Sequence, residues 1–166
     1  MMTSKHTVVL GIDPGYDRIG WAVGQISRRQ LKLQDYGCLT TSKKLPLMQR
    51  YQQLIKQTQQ LIKKFRPQQL AIESLFFFKN KKTALKVSEA RGVMLAELLK
   101  QQVKVFEYTP LQIKQAVTGY GRANKQAVAK MVRLQLKLTQ KKIIDDAIDA
   151  LAVLITHQVS NHDLIS

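Results

Sequence analysis

Only 11 Asp and Glu residues stand against 27 Lys and Arg in this chain. None falls between Tyr36 and Ile72, and none between Tyr108 and Ile144. Where the remaining acids sit is therefore informative. Asp13 closes the apolar run TVVLGID, and Glu73 closes QQLAIE. Asp146 and Asp149 are three apart in a helical stretch, so they share a face near the positive end of the helix dipole. Carboxylates brought that close repel one another unless a cation lies between them. An all-oxygen ligand set favours a hard divalent ion, Mg²⁺ or Mn²⁺. Each acid also has a plainer reading. Asp13-Pro14-Gly15 is a good turn in its own right. Glu73 could be an ordinary strand-end acid, and Asp145, Asp146 and Asp149 could simply cap a helix. The conjunction of strand–Asp, strand–Glu and Asp-x-x-Asp favours chemistry.

The elements that must position these acids follow from periodicity. Residues 7–13, 18–25 and 31–41 read as three strands with short gaps that suit antiparallel hairpins. In 46–65 the apolar residues Met48, Tyr51, Leu54, Ile55, Leu61, Ile62 and Phe65 recur at three and four, which predicts a helix bounded by Pro46 and Pro67. Strands follow at 68–73 and 103–108, with a helix at 82–100 between them. From Pro110 onward the pattern is helical, broken at 118–121 and near Thr139, and the last helix spans about 143–157. The order βββ-α-β-α-β-α-α-α predicts an α/β fold with a five-stranded mixed sheet, three antiparallel strands followed by parallel βαβ units, flanked by helices. If the first and fourth strands run parallel and adjacent, Asp13 and Glu73 emerge at one sheet edge, where such sheets bind ligands. No repeat or linker interrupts the pattern, and residues 1–166 read as a single domain.

The formal net charge is +16 and the pI about 10.1. Such a balance implies an acidic partner, most often nucleic acid, with an anionic membrane surface as the rival. Lys56, Lys63, Lys64, Arg66, Lys130 and Arg133 suit phosphate contacts that read no bases, although each alone could be part of a solvated face. Phe76-Phe77-Phe78 runs straight into Lys79-Asn80-Lys81-Lys82. Three phenylalanines at a strand end cannot all point inward, so at least one is expected to stack on an unpaired base. The alternative is that all three pack under the following helix. The single cysteine, Cys38, excludes an internal disulfide and suits a reducing, intracellular compartment. No run approaches the roughly 18 apolar residues of a spanning helix. Asp13 interrupts an N-terminal run too short for a signal peptide, so the chain reads as soluble and cytoplasmic.

With these residues in place the chain resembles the RuvC family. GIDPG at 11–15 with Gly20-Trp21, AIESLFF at 71–77, KVSEARGV at 86–93, VFEYTPLQIKQAVTGYGRANKQAV at 105–128 and DDAIDALAVLITH at 145–157 match its motifs in collinear order. GIDPG alone is only moderately specific, because actin-like ATPases carry a similar strand–Asp–Gly motif. The resemblance implies a ribonuclease H-like fold and an endonuclease that resolves four-way Holliday junctions, leaving 5′-phosphate and 3′-hydroxyl ends. It puts the catalytic and metal-holding carboxylates at Asp13, Glu73, Asp146 and Asp149, with two Mg²⁺ per site and Mn²⁺ as a substitute. Asp146 is preferred over Asp145. Lys125 joins the catalytic set, and Phe76, Phe77, Lys79, Lys114, Arg122 and Lys125 are the expected DNA contacts.

A homodimer is also implied, with the 82–100 helix and its Ala90, Gly92 and Val93 as a candidate interface. A RuvAB-type branch-migration motor is a further possible partner. Three rivals stand beside this reading. A ribonuclease H would share the carboxylates but act on RNA–DNA hybrids, and a non-catalytic protein would bind branched DNA. An actin-like ATPase would need a longer chain.

Overall fold

The structure is a computed structural model that describes residues 6–28, 30–75 and 81–160. Phe76, Phe77 and Lys79, three of the expected DNA contacts, lie outside the described residues. Strands β1 (Thr7–Asp13), β2 (Arg18–Ser27) and β3 (Gln30–Thr40) are followed by helix α1 (Leu47–Phe65) and strand β4 (Gln69–Glu73). Helix α2 (Lys81–Lys100), strand β5 (Lys104–Tyr108) and helices α3 (Pro110–Thr118), α4 (Lys125–Gln135) and α5 (Asp145–Ser160) complete the chain. The five strands form one sheet in the order β3-β2-β1-β4-β5. β1 and β2, and β2 and β3, pair antiparallel, whereas β4 runs parallel to both β1 and β5. This is the expected mixed sheet.

The period of two sorts the strands onto two faces. Leu10, Ile12, Leu70 and Ile72 pack with Leu54 and Leu61 of α1 and with Met94 and Leu98 of α2. Val9 and Ala71 pack on the opposite face with Ile148, Leu151, Leu154 and Ile155 of α5. The last paired positions of β1 and β4 are Ile12 and Ile72. One residue further on, Asp13 and Glu73 therefore leave the sheet side by side, on the α5 face.

Helix boundaries follow local chemistry. Arg66 ends α1 in the left-handed region at φ 48, just before Pro67. Thr109 and Gln112 form a capping box at the start of α3, with Pro110 in the first turn, and Gly119 ends it at φ 77. The last helix starts at Asp145 rather than 143. Ile143 instead packs against the core from the preceding loop, while Ile144 is half exposed. The two acids then fall in the first turn, where the helix dipole favours them. α5 is apolar almost all round and buried from Ala147 to His157 apart from Asp149, as a central helix must be.

Its seat requires two glycines. A Cβ at Gly11 would lie 2.8 Å from the Ala150 carbonyl oxygen, and one at Gly20 only 1.8 Å from that of Asp146. The glycines of GIDPG and RIGW thus let the first turns of α5 rest directly on β1 and β2. Among the described residues no helix is long and apolar enough to cross a membrane.

Candidate active site

Asp13 ends β1, Glu73 ends β4, and Asp149 projects from the second turn of α5. All three line one cleft of roughly 600 Å³, together with Lys114 of α3 and Lys125 of α4. The N-terminal residues Pro110 of α3 and Lys125 of α4 also border it. Helix N-termini carry partial positive charge and suit phosphate oxygens. The cleft therefore offers carboxylates for a cation and positive groups for an anion within one space.

Lys125 is the counter-charge of the acidic cluster. Its Nζ lies 3.2 Å from Asp149 Oδ2 and 3.6 Å from Asp145 Oδ2. Burial acts to lower its pKa, but Asp149, Asp145 and Asp13 together hold it above the ordinary lysine value. Burial raises Asp149, with Lys125 opposing. Asp13 feels the cluster most. Burial, then the charges of Asp149, Glu73 and Asp146, push its carboxyl up to about 8 against the pull of Lys125.

Asp146 faces a different partner. Its Oδ2 meets Arg18 Nη2 at 2.7 Å, and it stands beside the cleft rather than among its lining residues. Its charge nonetheless reaches Asp13. The Asp145 side chain is 79% exposed, against 27% for Asp146. Arg122 is exposed, in the turn before α4, and does not line the cleft.

The sequence reading missed Arg18, and also Ser74, whose N–H and hydroxyl both donate to the Tyr108 carbonyl and so tie the segment after Glu73 to β5. Nothing in the local pattern marks Arg18. Its role depends on the antiparallel register that sets Gly20 opposite Asp13 and on α5 lying across that strand.

Among the described residues, no three His, Cys, Asp or Glu side chains form a ready-made metal-ligand group. Asp146 is drawn to Arg18, and Asp149 to Lys125. The donor set still fits a hard divalent cation. It is all oxygen, and Asp13 is held neutral by burial and by the negative charges of its neighbours, which such a cation would offset.

A mixed five-stranded sheet with carboxylates at two adjacent strand ends, facing the acidic first turns of a helix laid across them, defines a nuclease of ribonuclease H-like fold. The family model for crossover junction endodeoxyribonuclease RuvC matches residues 9–157, and the chain belongs to the RuvC family. The crossover junction endodeoxyribonuclease RuvC of Petrotoga mobilis is 48% identical over 150 residues, covering 90% of this chain and 92% of that one. That of a Roseiflexus species is 47% identical over 156 residues, covering 94% and 92%. The structure of Thermus thermophilus RuvC in complex with Holliday junction substrate matches with a TM-score of 0.83 at 35% identity, over 92% of this chain and 93% of that one.

Proposed function

We propose that this chain is a metal-dependent endonuclease that resolves four-way DNA junctions by paired, symmetric phosphodiester hydrolysis. The observation that carries this reading is the meeting of Asp13, Glu73 and Asp149 with Lys114 and Lys125 in one cleft, in a chain of the RuvC family. Asp13, Glu73, Asp146 and Asp149 are the residues that would hold divalent cations, two Mg²⁺ per site with Mn²⁺ as a substitute. Bound there, such ions would supply an activated water and relieve charge on the phosphoryl group. Lys125 and Lys114 stabilise negative charge that builds on the phosphate, and the N-termini of α3 and α4 add to that field. Phosphate contacts beyond the cleft fall to Arg122 and the basic helices, while Phe76, Phe77 and Lys79 serve the junction centre.

The chain is read as one nuclease domain that works in the cytoplasm as a C₂ homodimer, since two matched cuts on a two-fold junction need two identical sites. The outer face of α2 supports that assembly. Leu85 is 71% and Leu99 56% exposed, and Gly92 has open space where a Cβ would point. Ala96 falls on the same face. The interface reading at 82–100 needs a correction, because Ala90 is buried and Val93 packs against the core beneath α2. Of the three small residues only Gly92 faces outward. A RuvAB-type branch-migration motor is the partner the family resemblance suggests.

The test is substrate choice. The native chain with Mg²⁺ is offered a synthetic four-way junction, a linear duplex and an RNA–DNA hybrid of matched sequence. Paired nicks confined to the junction are expected. Cutting of the hybrid at a comparable rate would point to a ribonuclease H. Binding of the junction with no cut in either Mg²⁺ or Mn²⁺ would leave a branched-DNA-binding protein.

A further inference from the structure

Arg50 of α1 is 5% exposed and has no part in the chemistry above. A buried guanidinium is costly unless its donors are matched, and here they reach the Tyr16–Asp17 turn and Thr41, just past β3. Nη2 donates to Asp17 Oδ1 at 2.7 Å, to Thr41 Oγ1 at 2.8 Å and to the Tyr16 carbonyl at 3.3 Å. Nε donates to Thr41 Oγ1 at 3.0 Å. The guanidinium carbon also lies 4.0 Å from the centre of the Tyr16 ring, and Lys86 of α2 approaches the same ring at 5.2 Å. Lys43 reaches the other Asp17 oxygen at 2.9 Å, and the Thr41 N–H donates to the Asp17 carbonyl at 3.2 Å. The turn so held joins β1 to β2. Asp13 precedes it and Arg18, the partner of Asp146, follows it. It leaves no room for a side chain at position 15, since a Cβ at Gly15 would fall 1.9 Å from the Arg18 carbonyl oxygen. Tyr16 and Asp17 lie between Asp13 and Arg18 in one short turn, so a shift of either would bear on both ends.

We infer that Arg50 is a positioning residue for the nuclease site. Lying on the α1 side of the sheet, it fixes the Tyr16–Asp17 turn, and through that turn it sets the Asp13 carboxylate and the Arg18 guanidinium that faces Asp146. The inference rests on reading Asp13 as a metal-holding catalytic group. An arginine is needed because its planar fork serves several acceptors at once, whereas a lysine ammonium is a point charge on a flexible stem.

The test uses the full chain and two variants. Arg50→Lys keeps the charge and loses the fork. Asp17→Asn weakens the same anchor from a half-exposed position and keeps a falsifiable route open should Arg50→Lys fail to fold. Small misplacements at a reacting centre cost rate more than binding, so kcat on a four-way junction is expected to fall about tenfold in Arg50→Lys, with KM near native. Mn²⁺ binding measured by calorimetry without DNA is expected to weaken several-fold, and Asp17→Asn should show the same signs with smaller size. A merely structural role would lower the melting temperature and the folded fraction, yet leave KM, kcat per folded molecule and Mn²⁺ affinity native. That outcome in the variants that fold overturns the inference. Asp13→Asn run alongside separates the two levels. If it still cuts, the reading of the site fails. If it is inactive while Arg50→Lys and Asp17→Asn behave as native, only the role of Arg50 fails.

Discussion

The two ends of α5 are built to opposite specifications. At the N-terminal end, Asp149 shares the cleft with Asp13, the charge of Asp146 reaches it, and burial with like charge pushes the Asp13 carboxyl up to about 8. At the C-terminal end His157 is fully buried. Its Nδ1 and the Tyr108 hydroxyl lie 2.7 Å apart, and its Nε2 lies 2.7 Å from Gln69 Oε1. The amide oxygen only accepts, so the proton sits on Nε2 and Nδ1 accepts from the tyrosine. Burial pushes this imidazole down to about 4, which keeps it neutral. One end is neutral, buried and matched, and the other is crowded with charge and open to the cleft. The proposed nuclease site occupies the end whose electrostatics are incomplete. The matched end and the apolar body of α5 supply stability that offsets the cost.

Substitutions at the two ends should therefore fail in different ways. The largest effect belongs to the charged end. Glu73→Gln or Asp149→Asn should lower junction cleavage by on the order of 10³-fold. Junction binding, followed by fluorescence anisotropy, should be retained. Loss of binding in step with loss of cleavage would erase the distinction between the ends. Next comes the seat of the helix. Gly20→Ala places a methyl group where the Asp146 carbonyl now lies, and overpacking of this kind costs about 1–3 kcal/mol. Both cleavage and melting temperature should drop, because this glycine serves site and fold together.

At the matched end, His157→Ala leaves the Tyr108 hydroxyl and the Gln69 amide without their partner and opens a void. Stability should fall by about 2–4 kcal/mol in denaturant titration. The kcat per folded molecule should stay close to native. A His157 variant that folds normally and loses catalysis would place this residue in the mechanism instead.

The last effect is one of pH, measured on chelator-treated protein. Asp13 has a folded pKa of about 8, above its ordinary value of 3.8. Its ionisation therefore favours the unfolded chain, and the associated stability is lost as pH rises from about 4 through 8. His157 has a folded pKa of about 4, below its ordinary 6.5, so its contribution is lost as pH falls from 6.5 toward 4. Asp13→Asn should melt above the native protein at pH 8, with a difference that shrinks toward pH 5. Addition of Mn²⁺ to the native protein should narrow the gap at pH 8. Parallel melting curves at every pH would contradict the electrostatic account of that end.

Much of this contrast was legible in the sequence. Asp13 and Glu73 stood out because each closes an apolar strand in a chain poor in acids, and Asp146 and Asp149 because their spacing shares a helix face. The sheet followed from the change of period at 46 and the return of short apolar runs at 68 and 103. What stayed hidden depended on register and on which face meets which. Arg18 looks like any basic residue at a strand start until α5 lies across β2. Arg50 sits among the helical positions Met48, Tyr51 and Leu54 and reads as surface charge, yet it is buried against a turn more than thirty positions away. Gly11 and Gly20 read as motif letters, and only the close approach of the α5 backbone gives them a physical role. Ala90 and Val93 looked like interface residues because small side chains suit both a core and a dimer.

The charged end of α5, together with Asp13, is proposed to form a metal-dependent nuclease site. The most direct test is Mg²⁺-dependent cleavage of a synthetic four-way junction by the native chain and by Asp13→Asn, with binding of both to the same junction measured in parallel. Paired symmetric nicks are expected from the native chain, and a variant that binds the junction without cutting it. Cleavage by Asp13→Asn at a rate near native would contradict that proposal.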